Sequence, residues 1–230
     1  MRVAAFFDID HTLIDADSGV LFMRYLIRRG LMRWRDLLGP LYYSVQYRLN
    51  MLDINAVFRR YQTWVRGQRH GELEELCAQW YAECVRPAVY GEMVDRIAEH
   101  QQAGHVVAIL SSATTYVAEP LARELGIEHV LVNRLLVADG QLTGDAVQPL
   151  CWGTGKPYWA QRFAAAHEID LHRSFFYTDA ISDLPMLEVV GNPRPVNPDR
   201  LLRRAAERRG WPIMRVHATR GGTPLRTAVP

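Results

Sequence analysis

The sequence predicts an α/β protein: a doubly wound parallel sheet with an all-helical unit inserted after its first strand. Three observations carry this. Apolar runs end in polar residues at three widely separated places, helical stretches lie between the later runs, and a long segment near the N-terminus shows helical periodicity without a strand. The chain has 230 residues, 49% of them hydrophobic and 23% charged, which fits a globular protein and excludes disorder and collagen-like structure.

Residues 3–7 form the first apolar run, ending in Asp8-Ile9-Asp10, as expected of a buried parallel strand with polar residues at its carboxyl end. Residues 106–110 repeat the pattern and end in Ser111-Ser112, and residues 174–178 repeat it again before Asp179. Between these runs the sequence predicts a helix over 114–125, a short strand over 129–132, a hairpin at Asp139-Gly140, and a helix over 157–167 with Pro157 in its first turn. The strand-free segment reads as helices over 19–29, 33–49, 54–65 and 73–86. A core of residues 1–16 and 87–216 is therefore expected, with a helical cap over 17–86 and a loose tail over 217–230.

Charge and cysteine usage narrow the function. Twenty-seven basic residues against 25 acidic give a net charge of +2, too near neutral for a nucleic-acid-coating protein. Cys77, Cys84 and Cys151 form no disulfide framework and no CxxC pair, which points to the cytoplasm. No stretch of about 18 apolar residues is present to span a bilayer. Residues 37–43 are apolar, with Arg33, Arg35 and Arg48 around them. They read as helix packing with solvated arginines, and the alternative is a greasy, basic entrance for a lipid phosphate or a peripheral membrane contact.

The chemistry gathers at the strand ends. Residues two apart in an extended chain point the same way, so Asp8 and Asp10 leave the first strand together and need a cation or a shared proton. In open parallel sheets ligands bind beyond the carboxyl ends of the strands, so Asp179 is expected to join them, with Asp183 near it. Asp183 alone has a second reading, as a residue favoured at a helix N-terminus. Such a cluster of hard oxygen ligands selects Mg²⁺, which also binds phosphate. Ser111 can offer a hydroxyl to a phosphoryl oxygen there, and Lys156 a positive charge.

These residues resemble the four motifs of the haloacid dehalogenase (HAD) superfamily of phosphohydrolases, in the branch that includes phosphoserine phosphatases. DxDxT is Asp8 to Thr12, the Ser after the second strand is Ser111, the lysine is Lys156, and the acidic pair is Asp179 and Asp183, with Thr178 where that family commonly has Gly. The resemblance covers roughly residues 3–200, and four motifs in order are far more specific than any one. It implies a Rossmann-like core with a helical cap, and a small phosphate monoester as substrate. It implies Asp8 as nucleophile and Asp10 as general acid and base. Mg²⁺ would be held by Asp8, Asp10 through its backbone carbonyl, Asp179 and Asp183. Thr12, Ser111, Ser112 and Lys156 would contact the phosphate side, and Asp17 would stand where phosphoserine phosphatases carry a Glu that meets the substrate amino group. Those enzymes have Ser-Gly-Gly at the second motif, whereas this chain has Ser111-Ser112-Ala113, which argues against phosphoserine itself. A monomer or homodimer is expected.

Other classes fit less well. A P-loop needs Gly where Leu150 stands and Ser or Thr where Pro157 stands. No HExxH exists for a zinc hydrolase, and His11, His100, His105 and His129 read as surface or turn residues. A receiver-like binding module would lack the second acid of the first motif. The six tryptophans, and Cys77 with Cys84, read as packing, and Arg200, Arg203, Arg204, Arg208 and Arg209 as a solvated helix face.

Overall fold

A computed structural model describes residues 1–32 and 64–217. The expected helices over 33–49 and most of 54–65, the basic apolar stretch over 37–43, and the tail beyond His217 lie outside these residues.

Five strands form one parallel sheet: β1 (Ala4–Phe7), β2 (Val106–Thr114), β3 (His129–Asn133), β6 (Phe175–Thr178) and β7 (Asn192–Pro195), in the order β3-β2-β1-β6-β7. A separate antiparallel hairpin joins β4 (Leu135–Ala138) to β5 (Gln141–Ala146) through Asp139-Gly140, both at positive φ. All four residues of β1 are buried because both sheet faces are covered. Alternation divides them: Ala5 and Phe7 join one core cluster, with Met93 and Ile97 of α3 (Gly91–Gln102) and Val117 and Leu121 of α4 (Thr115–Leu125). Ala4 and Phe6 join the other, with Ala160 and Phe163 of α5 (Gly155–His167), Met186 of the short α6 (Leu184–Leu187) and Leu202 of α7 (Arg200–Arg209). The predicted doubly wound sheet is present.

Two further helices follow from the strand-free segment. Helix α1 (Ser18–Arg28) is capped by Asp17, whose carboxylate accepts from the Val20 N–H at 2.8 Å. Helix α2 (His70–Trp80) does not run on to residue 86 as its periodicity predicts. It widens into a π-helical turn, Tyr81–Val85, and then a 3-10 turn, Arg86–Ala88, where Pro87 cannot continue the α-helical ladder. Cys77 and Cys84 both pack on the same core cluster, as expected. Cys77 is buried, while Cys84 is half-buried and accepts a hydrogen bond from Arg28 at 2.9 Å.

Among the histidines, two expectations are corrected, and His129 is the milder case, a half-buried residue of β3 packed against Phe163 and His167. His100 is buried, not a surface or turn residue: it sits against Phe7, Phe175 and Tyr177, with Nε2 2.9 Å from the Tyr177 hydroxyl and Nδ1 2.8 Å from His105 Nδ1. Burial first, then the neighbouring His105 and arginines, lower its pKa to about 4, so it is neutral near pH 7. His11 does occupy a turn, at φ 52°. The five arginines of α7 are exposed, opposite buried Leu202, Ala205 and Ala206. No helix among the described residues is long and apolar enough to cross a membrane.

Candidate active site

The carboxyl ends of β1, β2 and β6 lie side by side, as the register pairs Phe7 with Ile109 and with Tyr177. The residues following β1 and β6 therefore meet over one edge of the sheet with Ser111, which lies within β2, where the strand runs on past the expected end at 110 and its register to β3 shifts. Asp8, buried, is fixed by its N–H donating to the Tyr177 carbonyl at 2.9 Å. Lys156, in the first turn of α5, is 1% exposed and donates to Asp8 Oδ1 at 3.1 Å and to Asp183 Oδ2 at 2.6 Å. Burial opposes its charge, but Asp183 and Asp8 outweigh burial and raise its pKa, so it stays an ammonium. The lysine reaches this place because Gly155 precedes it. A Cβ at 155 would stand 1.9 Å from the Leu150 carbonyl oxygen, so only glycine lets the loop pass.

Thr178, at the family's glycine position, donates from Oγ1 to the same Asp183 oxygen at 2.5 Å. Asp183 therefore receives two donors from the site; it also stands at the N-terminus of α6, as its second reading expected, without a side-chain hydrogen bond to that helix. Burial still raises its pKa against the lowering effect of Lys156.

Asp10 has a different setting. Its carboxylate accepts from the Ser18 N–H at 3.0 Å and the Ser18 hydroxyl at 3.2 Å. Burial, then Asp17 and Asp8, push its pKa well above the usual carboxylate range, which favours the protonated acid. Ser111 is buried and its Oγ accepts from the Ala113 N–H at 3.2 Å, which leaves the hydroxyl proton to donate elsewhere. Thr12 is buried in the turn after β1, with its hydroxyl unpaired.

Asp179 supplies the test for a cation. Its Oδ1 is buried without a hydrogen-bond partner, and burial, then Asp8, Asp183 and Asp10, raise its pKa well above normal. Four buried or crowded acids thus face a single lysine, and an oxygen is left over. That fits a hard dication. Among the described residues no three His, Cys, Asp or Glu side chains stand together as a ready metal cage, because the Asp10 carboxylate is turned to Ser18 and that of Asp183 to Lys156 and Thr178. Asp8 and Asp179 remain. Two carboxylates suit Mg²⁺, which keeps waters and takes substrate phosphate oxygens for the rest.

Beside these acids lies a cavity of about 260 Å³, lined by Asp10, Asp17 and Ser18 at one end, and by Phe22, Trp80, Tyr116, Val117 and Leu150 around it. Ser112, Thr114 and Asn133 complete it, with Cys77 in the wall. Asn133 fixes the Ser112 segment by donating to the Ser112 carbonyl at 2.6 Å while accepting from the Cys151 N–H at 2.8 Å. Sequence reasoning missed Ser18, Asn133, Thr178 and the aromatic wall. Trp80 packs, as expected of the tryptophans, and also faces the cavity. Ser18 carried one readable signal, since it opens a helix right after the first motif.

Residues 5–188 match the family model of haloacid dehalogenase-like hydrolases. The chain belongs to that family. It is 35% identical to a probable phosphatase of Mycobacterium tuberculosis (strain H37Rv), over 93% of this chain and 75% of that protein. It is 29% identical to a histidinol-phosphatase of Neisseria meningitidis, over 93% of this chain and 99% of that protein. A solved structure of a protein of unknown function from Bordetella pertussis superposes with a TM-score of 0.83 at 25% identity, covering 93% of this chain and 99% of that one. A substrate-bound phosphoserine phosphatase shares the fold, with a TM-score of 0.71 at 18% identity over 96% and 94% of the two chains. The family and its relatives make this chain a phosphatase.

Proposed function

We propose that the protein is a Mg²⁺-dependent phosphomonoesterase that works through an aspartyl-phosphate on Asp8. The observation that supports it best is the contrast between two acids two residues apart. Asp8 takes the Lys156 ammonium, whereas Asp10 meets Ser18 and is pushed towards its protonated form. Paired carboxylates with opposed environments are how one site holds a nucleophile and an acid at the same pH.

On this reading, an Asp8 carboxylate oxygen bonds to phosphorus as the bond from phosphorus to the ester oxygen breaks, and Asp10 gives its proton to the leaving alcohol. Asp10, now a carboxylate, takes a proton from water as the water oxygen bonds to phosphorus. The bond between Asp8 and phosphorus then breaks, releasing inorganic phosphate and restoring both acids. Ser111 donates to a phosphoryl oxygen, and Lys156, held by Asp183 and Thr178, balances charge. The Asp8 and Asp179 carboxylates, with the Asp10 carbonyl, would hold Mg²⁺, and the positive charge it would supply would let an anionic nucleophile approach an anionic phosphate. Residues 17–86 are read as the cap over this site and residues 1–16 with 87–216 as the core, and the cytoplasm is the compartment that fits the cysteine usage.

The test is chemical. With a ³²P-labelled phosphomonoester, acid quenching leaves base-labile label on the wild-type chain and none on Asp8→Asn. EDTA abolishes turnover of p-nitrophenyl phosphate, and Mg²⁺ restores it. Label on the variant, or turnover indifferent to EDTA, overturns the reading.

A further inference from the structure

Asp179 is crowded by the like charges of Asp8, Asp183 and Asp10, and its buried Oδ1 has no hydrogen-bond partner. A carboxylate so placed turns away from its neighbours unless the backbone beneath it is held on both sides. The sheet holds one side, since the Thr178 carbonyl accepts from the Val196 N–H at 2.8 Å. The other side is a tight turn. The chain leaves Asp179 through Ala180 into a single 3-10 turn, Ile181–Asp183, where the Asp183 N–H donates to the Ala180 carbonyl at 3.1 Å.

That turn is pinned by a residue the proposed mechanism does not use. Asp199 lies between β7 and α7, and its N–H donates to the Asp179 carbonyl at 2.8 Å, while its Oδ2 accepts from the Ile181 N–H at 2.8 Å. Its other oxygen, Oδ1, accepts from the Leu201 and Leu202 N–H groups at 2.8 and 2.7 Å and caps α7. One side chain thus joins the start of α7 to the turn between the two acids. A carboxylate can do both because it offers two acceptor oxygens, whereas a hydroxyl offers one. The helix is in turn anchored by Leu202, buried in the same core cluster as Ala4 and Phe6. The turn is therefore referred to the core of the protein.

Resting on the phosphomonoesterase reading, we infer that Asp199 is a positioning residue for the dication, which keeps the Asp179 carboxylate beside that of Asp8 by fixing the backbone on the far side of Asp179. It acts through that backbone, not by contact with the cation. Its two oxygens divide the work: Oδ1 serves the helix and Oδ2 serves the site.

The division gives the test. Asp199→Ser and Asp199→Thr each keep a cap acceptor for α7, since Ser and Thr are favoured N-caps, and each lacks the second oxygen that holds Ile181. Mn²⁺, which suits the same oxygen ligands as Mg²⁺, is the probe. Its binding to the full chain without substrate is followed through the electron paramagnetic resonance of free Mn²⁺, and the fold through the denaturant midpoint. Both variants are expected to keep a midpoint close to that of the wild type and to bind Mn²⁺ about 10- to 100-fold more weakly, the range for a lost outer partner of a metal ligand. Excess Mg²⁺ is expected to restore most of their kcat on p-nitrophenyl phosphate. Leu202→Ala, which loosens α7 in the core without touching the turn, is expected to lower the midpoint and leave Mn²⁺ affinity within a few-fold. Wild-type Mn²⁺ affinity in the Asp199 variants, a loss no larger than that in Leu202→Ala, or a loss that appears only because the variants unfold, overturns the inference and leaves the phosphatase reading standing. A wild-type chain that binds no Mn²⁺, or that turns over no p-nitrophenyl phosphate, overturns the reading beneath it.

Discussion

Two neighbouring regions of this molecule are built on opposite principles. The acid cluster at the ends of β1, β2 and β6 is held by charge: Lys156, Asp8, Asp183 and Thr178 lock one another at 2.5–3.1 Å with almost no solvent. The cavity beside it is held by shape, its wall assembled from single aromatic side chains of α1, α2 and α4. The first can change little, because removing any buried partner strands another charge. The second can change one side chain at a time, since an apolar wall tolerates substitutions of similar volume. On the proposed reading, the chemistry belongs to the first region and the selectivity to the second.

The largest effect should come from the charged region. Asp8→Asn is expected to lower kcat by at least about 1,000-fold with the fold intact, as steady-state kinetics and circular dichroism would show. Comparable turnover would remove the distinction between the two regions. Lys156→Met should act on stability as well: it leaves Asp8 and Asp183 facing each other without a cation, at a cost of about 3–5 kcal/mol in chemical denaturation. Phe22→Ala, on the cavity side, should raise KM for p-nitrophenyl phosphate by about 3- to 10-fold and leave kcat within a few-fold, the size of one lost aromatic contact. A larger loss in kcat than in KM would show that the wall also shapes the reacting groups.

The smallest effect concerns His100, which braces β6 through the Tyr177 hydroxyl. Its folded pKa of about 4 lies below the ordinary value of 6.5, so the unfolded chain binds this proton more readily. The neutral ring's contribution to stability is complete above about pH 6.5 and is lost as pH falls towards 4. Denaturant midpoints for wild type and His100→Asn should therefore converge over that window. Parallel curves would show that His100 does not titrate on unfolding.

Much of this was legible in the sequence because strand ends write themselves plainly. Uninterrupted apolar runs such as Ala4–Phe7 have one explanation, burial on both faces, and whatever polar residue follows must stand at the sheet edge. Asp8, Ser111 and Asp179 were found that way, and Lys156 by its order among them. Thr178 and Ser18 were hidden because their roles depend on which carboxylate they meet in space. The aromatic wall was hidden for another reason: Phe22, Trp80 and Tyr116 look like core residues at helical spacing, and half of that reading is true. The end of α2 misled because a π-helical turn leaves no mark on a 3.6-residue periodicity.

Gly155 shows how a buried charge can be placed by a residue that carries none. The Leu150 carbonyl sits where a methyl group would be, so the smallest side chain at 155 would pry the loop away from the start of α5 and carry the neighbouring ammonium with it. The enzyme's charge balance thus depends on an atom that is not there, and a change that adds no charge and touches no substrate would unsettle it.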